Sequence, residues 1–197
     1  MSGRLVLASA NAAKLREISM MLQGSSWDVV PQQAYGVDPI AEPHLTFVEN
    51  ALAKARHAAA RTGLPALADD SGLCVESLNG APGVRSARFA GGGASDQANN
   101  AELLRRLNGV TERSAHYACV IVAIRSAEDA EPIIVDARWN GQIAEAPRGS
   151  GGFGYDPLFY VASLGLTAAE LDPEQKNRIS HRGVALRRLA GRLAAWT

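Results

Sequence analysis

The chain has 197 residues, with 20 Lys+Arg against 20 Asp+Glu for a formal net charge of zero, which argues against a dedicated nucleic-acid binder. At 47% hydrophobic and 20% charged it is too apolar and too neutral for disorder, and its length suits one domain, or two lobes sharing a sheet. The basic side is lopsided: Lys14, Lys54 and Lys176 are the only lysines, and every other basic residue is Arg.

Leu5 to Ala8 reads as a short buried strand, Ser9-Ala10-Asn11 as a polar break, and Ala12 to Leu22 as an amphipathic helix with Leu15, Ile18, Met21 and Leu22 on one side. Trp27 to Val30 fits a second strand, and residues 31–45, with Pro31, Gly36, Pro39 and Pro43, a loop. Thr46 and Glu49 match a capping box for a helix to about Arg61, burying Phe47, Ala51, Ala55 and Ala58 and ended by Gly63 and Pro65. Pro65 to Ala68 leads a strand into Asp69-Asp70-Ser71-Gly72, with extended structure resuming from Leu73 to Ser77 and a turn from Asn79 to Gly83. Ser95 caps a helix through Leu107. His116 to Arg125 and Ile133 to Asn140 read as long antiparallel neighbours, Pro147 to Pro157 as a Gly-rich loop. Ser180 starts a last helix carrying Val184, Leu186, Leu189 and Leu193. Strands and helices mix without strict alternation, which predicts an α/β fold, a mixed twisted sheet with flanking helices.

Cys74 and Cys119 lie in apolar surroundings and are expected as reduced thiols, and no Cys/His spacing resembles a zinc site. The apolar run Leu5 to Ala8 is too short for a signal-peptide core, and no stretch approaches the roughly 20 residues that span a bilayer. A cytoplasmic protein with no membrane partner is the expectation.

Four polar islands fall at element boundaries, where side chains can face a ligand. Ser9 to Lys14 offers a strand-to-helix turn, backbone N–H groups and one ammonium, which suits a phosphate chain, although it lacks P-loop glycines and also reads as an ordinary turn. Asp69-Asp70 leaves an apolar strand, a costly place for carboxylates unless a cation compensates. Mg2+, which takes one or two carboxylates plus substrate phosphates, would do so; Asx-type turn bonds are the alternative. Strand alternation points the two to different faces, so one would hold metal or water and the other brace the scaffold. Gly151 to Pro157 sets Phe153 and Tyr155 beside Asp156 among glycines, suiting a planar heterocycle, or a hairpin with its aromatics folded inward. Lys176 to Gly183 brings His181 and Arg182 to a helix start, where basic residues oppose the dipole and can donate to carbonyl or phosphate oxygen, or form a solvated face. Together these suit a nucleoside triphosphate with Mg2+.

Six ordered motifs carry a resemblance across nearly the whole chain: Ser9-x-Asn11-x-x-Lys14; Thr46-Phe47-x-Glu49-Asn50-Ala51-x-x-Lys54-Ala55; Ala68-Asp69-Asp70-Ser71-Gly72-Leu73; Gly80-Ala81-Pro82-Gly83-Val84-x-Ser86-Ala87-Arg88; Gly151-Gly152-Phe153-Gly154-Tyr155-Asp156-Pro157; and Ser180-His181-Arg182-Gly183. They resemble the inosine triphosphate pyrophosphatase family. The resemblance implies an elongated two-lobed fold with a central cleft, a homodimer, and Mg2+-dependent hydrolysis of deaminated purine nucleoside triphosphates (ITP, dITP, XTP) to monophosphate and pyrophosphate. It further implies that Ser9, Ala10, Asn11, Ala12, Ala13 and Lys14 hold the triphosphate with Lys54 nearby, and that Ser71 touches substrate. Asp70 becomes the proton acceptor and, with Glu42, a metal contact. Phe153, Gly154, Tyr155, Asp156, Lys176, His181 and Arg182 form the base pocket. The segment Glu42-Pro43-His44-Leu45 departs from the family's usual Glu-Asp-Gly. Two rival functions remain: a pyrophosphatase of pyrimidine triphosphates, and a nucleotide-binding regulatory module without turnover.

Overall fold

The structure, a computed structural model, describes residues 3–196. Its strands are β1 Gly3–Leu7, β2 Trp27–Pro31, β3 Ala66–Val75, β4 Ser114–Ile124, β5 Ile133–Ile143, β6 Phe159–Val161 and β7 Leu166–Thr167. They form a mixed seven-stranded sheet in the order β2-β1-β3-β4-β5-β6-β7. β1 pairs parallel with β2 and β3, while β6 pairs antiparallel with β5 and β7. The α-helices are α1 Ala12–Leu22, α2 Phe47–Thr62, α3 Asp96–Arg106, α4 Pro173–Ile179 and α5 His181–Leu193. Among the described residues no helix is long and apolar enough to cross a membrane.

The chain divides into two compact units: residues 3–70, 119–137 and 182–196 form the first, and 71–118 with 138–181 the second. In the first, strand alternation sorts side chains onto two faces. Leu5, Leu7, Leu67, Cys119, Ile121 and Ala123 pack with Ile18 and Leu22 of α1 and with Leu186, Leu189 and Leu193 of α5. The intervening residues Val6, Ala8, Ala66, Ala68, Val122 and Ile124 pack with Ala51, Ala55, Ala58 and Ala59 of α2. The alanine face of α2 lets the helix lie close to the sheet. In the second unit Leu73, Val75, Leu103, Tyr117, Trp139, Ile143, Leu158 and Phe159 form one core.

The N-cap residues read from the sequence stand where expected, although at Thr46 the side-chain cap forms without the second bond of a capping box. Thr46 Oγ1 accepts from the Glu49 N–H at 3.3 Å and donates to the Glu49 carboxylate at 2.5 Å, so the carboxylate bonds the cap's hydroxyl rather than its backbone N–H. Ser95 caps α3 through the Ala98 N–H at 3.1 Å. Three expectations change. The strand through Asp69-Asp70 does not break but runs continuously to Val75. Phe47 is only half-buried; Asn50, 1% exposed, takes the inward position. A short helix, α4, precedes α5, started by Asp172, whose carboxylate accepts from the Gln175 N–H at 2.8 Å, and by Pro173. Cys119 is fully buried, which pushes its thiol up to about 12, and Cys74 is half-buried with its thiol also raised by burial. Neither has the lowered pKa of a reactive thiol.

Candidate active site

At the β1–α1 turn, Asn11 is the N-cap of α1. Its Oδ1 accepts from the N–H groups of Ala13 at 2.9 Å and Lys14 at 3.1 Å, and its own N–H donates to Ser9 Oγ at 3.2 Å. Ser9 is buried, whereas Ala10, Asn11 and Ala12 are exposed. Two helix amides of the turn are thus already committed, so an anion there meets the Asn11 side chain and Lys14 as well as backbone.

The pair Asp69-Asp70 is where the alternation of β3 becomes chemistry. Asp69 shares the face of Leu67 and is met by α1 and α5: Lys14 Nζ lies 3.0 Å from its Oδ2 and Arg182 Nε 3.5 Å from the same oxygen. Arg182, 3% exposed, also pairs with Glu17 of α1. Burial pushes the Asp69 carboxyl up, but Lys14, Arg182 and Lys54 outweigh it and hold it well below the usual carboxylate range. Burial opposes the Arg182 charge too, and Asp69 with Glu17 restores it.

Asp70 takes the opposite face and meets α2. Asn50 Nδ2 donates to its Oδ2 at 3.1 Å, and Lys54 Nζ lies 3.4 Å from its Oδ1. The same ammonium is 2.6 Å from Glu42 Oε1. Asn50 also ties down the loop carrying Glu42, since its Oδ1 accepts from the His44 N–H at 3.1 Å and its Nδ2 donates to the His44 carbonyl at 3.4 Å. Burial raises the Asp70 carboxyl above its ordinary value, with Glu42 and Asp69 adding to the effect and Lys54 and Lys14 opposing it. Lys54, destabilised by burial, is raised overall by Asp70, Asp69 and Glu42. Two carboxylates thus converge on one ammonium. Among the described residues no group of three or more His, Cys, Asp or Glu could hold a metal ion. An all-carboxylate pair, one member deeply buried, fits a hard divalent cation that takes its remaining ligands from a phosphate chain.

The second unit holds the remaining predicted residues. Asp156, 3% exposed, accepts from Lys176 Nζ at 2.6 Å and the Phe153 N–H at 2.8 Å through Oδ2, and from Tyr117 Oη at 3.3 Å through Oδ1. Lys176 in turn lies 4.9 Å over the Phe153 ring. His181 stacks on Tyr117, ring centroids 4.6 Å apart and planes 8° apart. Tyr155 is buried, its hydroxyl donating to the Ser86 carbonyl at 2.8 Å. Phe153 and Gly154 are half-buried, as is Ser71, which follows Asp70 on β3. The structure therefore gathers Phe153, Asp156 and Lys176, and separately Lys14, Asp69 and Arg182. Adjacent residues His181 and Arg182 fall in different clusters.

Gly152 is indispensable to this loop: its φ is +72°, and a Cβ there would sit 2.1 Å from Asp156 Oδ2. Gly152→Ala is expected to lose about 1–3 kcal/mol from backbone strain alone and to displace the carboxylate that holds Lys176. Gly154, at φ +62° with nothing within 4 Å of a Cβ, supplies the control. Urea denaturation of both alanine variants measures the difference, and Gly152→Ala should be the less stable.

Sequence reasoning gave no site role to Asn50, Glu17 or Tyr117. Spacing could have exposed the first two: Asn50 stands four residues before Lys54 and Glu17 three after Lys14, so each shares a helix face with a flagged lysine. Every lysine of the chain pairs with a carboxylate of these clusters: Lys14 with Asp69, Lys54 with Glu42 and Asp70, Lys176 with Asp156.

The chain, with charged groups buried on both faces of one strand and each answered by a helix, carries a candidate enzyme site on an α/β fold. It belongs to the Ham1 family, whose model matches residues 5–192. It is 58% identical over 193 residues to a dITP/XTP pyrophosphatase of Burkholderia pseudomallei (96% of this chain, 93% of that one) and 57% identical over 194 residues to a dITP/XTP pyrophosphatase of Aromatoleum aromaticum (98% of each). Among solved structures it resembles a HAM1 protein from Coxiella burnetii with a TM-score of 0.92 and 49% identity over 98% of each chain.

Proposed function

We propose that the chain hydrolyses deaminated purine nucleoside triphosphates (ITP, dITP, XTP) to the monophosphate and pyrophosphate, clearing them from the cytoplasmic nucleotide pool. The observation that carries this reading is Asp70: a buried carboxylate, one oxygen fixed by Asn50 and the other facing Lys54, with Glu42 on the same ammonium. The curated relatives' names support it.

In this reading Lys14 and Lys54 offset triphosphate charge, and the Asn11 cap and Ser9 position the chain. Asp70 accepts the proton of a water that attacks the α-phosphorus; the new P–O bond forms as the bond to the bridging oxygen breaks, and pyrophosphate leaves. Asp70 and Glu42 would hold Mg2+, which neutralises phosphate charge and lowers the pKa of water when bound. Ser71 touches the substrate. Phe153 offers its face to the purine, with Lys176 held behind it by Asp156; Gly154 and Tyr155 fix the loop. His181 donates to the 6-oxo group, where adenine would present an amino donor instead, while Arg182, held by Asp69 and Glu17, braces the start of α5 rather than reading the base. The homodimer follows from the family resemblance alone.

The test is pyrophosphate release from ITP, dITP, XTP, GTP, ATP and TTP, with and without Mg2+. ITP should exceed ATP in kcat/KM by as much as about 10⁴-fold, with no release when Mg2+ is chelated. Equal turnover of TTP would point to the pyrimidine reading, and binding without turnover to a regulatory module.

A further inference from the structure

We infer that Asp96 and Asn100 of α3 are positioning residues for purine recognition, clamping the glycine loop from behind; the inference rests on the function proposed above. Both side chains grip a single loop residue: Asp96 Oδ2 accepts from the Gly154 N–H at 2.6 Å, and Asn100 Nδ2 donates to the Gly154 carbonyl at 2.8 Å. Four residues apart, they share one face of the first turns of α3. They therefore read both backbone groups of Gly154, as a neighbouring strand would, in a segment that has no strand partner of its own.

Gly154 is the pivot between the loop's two aromatics. On one side, the Phe153 N–H is held by Asp156, whose carboxylate also holds Lys176 beneath the Phe153 ring. On the other, Tyr155 Oη is held by the Ser86 carbonyl. Ser86 is itself fixed, its Oγ accepting from the Leu73 N–H at 2.9 Å and donating to the Gly83 carbonyl at 2.6 Å. The adjacent Asn99 ties the following residues to the same helix: its Oδ1 accepts from the Ala90 N–H at 2.9 Å and its Nδ2 donates to the Ala87 carbonyl at 3.3 Å. The Gly80-to-Arg88 motif, which the sequence singles out without a role, thus anchors one flank of the loop, while Asp96 and Asn100 hold its centre. No atom of Asp96 or Asn100 needs to touch the substrate. Their effect is to hold the Phe153 ring in its binding orientation before the base arrives, so that binding does not pay for ordering the loop.

Steady-state pyrophosphate release from ITP by wild type, Asn100→Ala, Asp96→Ala, Asp96→Asn and Asn100→Asp tests this. Each alanine variant removes one hydrogen bond to Gly154 and should raise KM for ITP by up to about tenfold, with kcat within about twofold. Asp96→Asn keeps an acceptor oxygen and should return most of the KM. Asn100→Asp keeps the size but puts an acceptor against the Gly154 carbonyl, so it should raise KM even if Asn100→Ala fails to fold. Wild-type KM in the Asn100→Asp and Asp96→Ala variants, or kcat falling while KM holds, overturns the clamp alone. Wild-type protein that releases no pyrophosphate from ITP overturns the proposed function, and the clamp's role with it.

Discussion

Asp70→Asn lowers turnover of ITP by about 10²–10⁴-fold, the contribution of a positioned general base, and leaves the fold intact. The substitution is nearly isosteric, and Asn50 can still donate to the retained oxygen. Stability should hold or rise, because burial raises the Asp70 carboxyl above its ordinary value and the neutral amide escapes that desolvation cost. Lys54 keeps Glu42, at 2.6 Å, as its counter-charge. Thermal unfolding and pyrophosphate release, measured on the same preparation, separate the two effects. Near-normal turnover in a folded variant would remove Asp70 from the chemistry.

Asp69→Ala acts the other way: it destabilises the protein by about 3–5 kcal/mol, the cost of breaking a buried ion pair by removing one partner. Asp69 is 1% exposed and answers both Lys14 and Arg182. Lys14 can turn toward solvent, but Arg182 is 3% exposed and loses a carboxylate that it cannot replace with water. The pH dependence has a definite sign. Asp69 is held below its ordinary value of 3.8, so its stabilisation is fully present above that pH and is lost as pH falls further. The gap between wild type and Asp69→Ala in urea denaturation should be constant near neutrality and narrow below about pH 4. A small, pH-independent gap would mean that Asp69 is not the anchor of Lys14 and Arg182.

The contrast between these neighbours shows what was legible in the sequence. Alternation alone separates Asp69 from Asp70, and the helix caps at Thr46 and Ser95 follow from local chemistry, so elements with strong local signals stand where expected. The chain also shows its lysines to be special through their scarcity. Their partners are another matter. That Lys14 meets Asp69 depends on α1 and β3 packing together, and that His181 stacks on Tyr117 depends on contacts 64 positions apart in the chain. Asn50 looks like one polar residue in an alanine-rich helix until the loop of His44 is laid beside it. Tyr155 and Asp156 read from the sequence as ligand contacts, yet their polar atoms are committed to Ser86, Lys176, Phe153 and Tyr117. Local sequence marks the groups that are costly to bury; tertiary packing decides which of them brace one another.

In the proposed reaction, water attacks the α-phosphorus of a purine triphosphate. Hydrolysis of ITP in 18O-labelled water, with the products resolved by mass spectrometry, tests it most directly. Inosine monophosphate should carry one 18O, and the pyrophosphate should be unlabelled. Label in the pyrophosphate, or release of inosine diphosphate and inorganic phosphate, would contradict it.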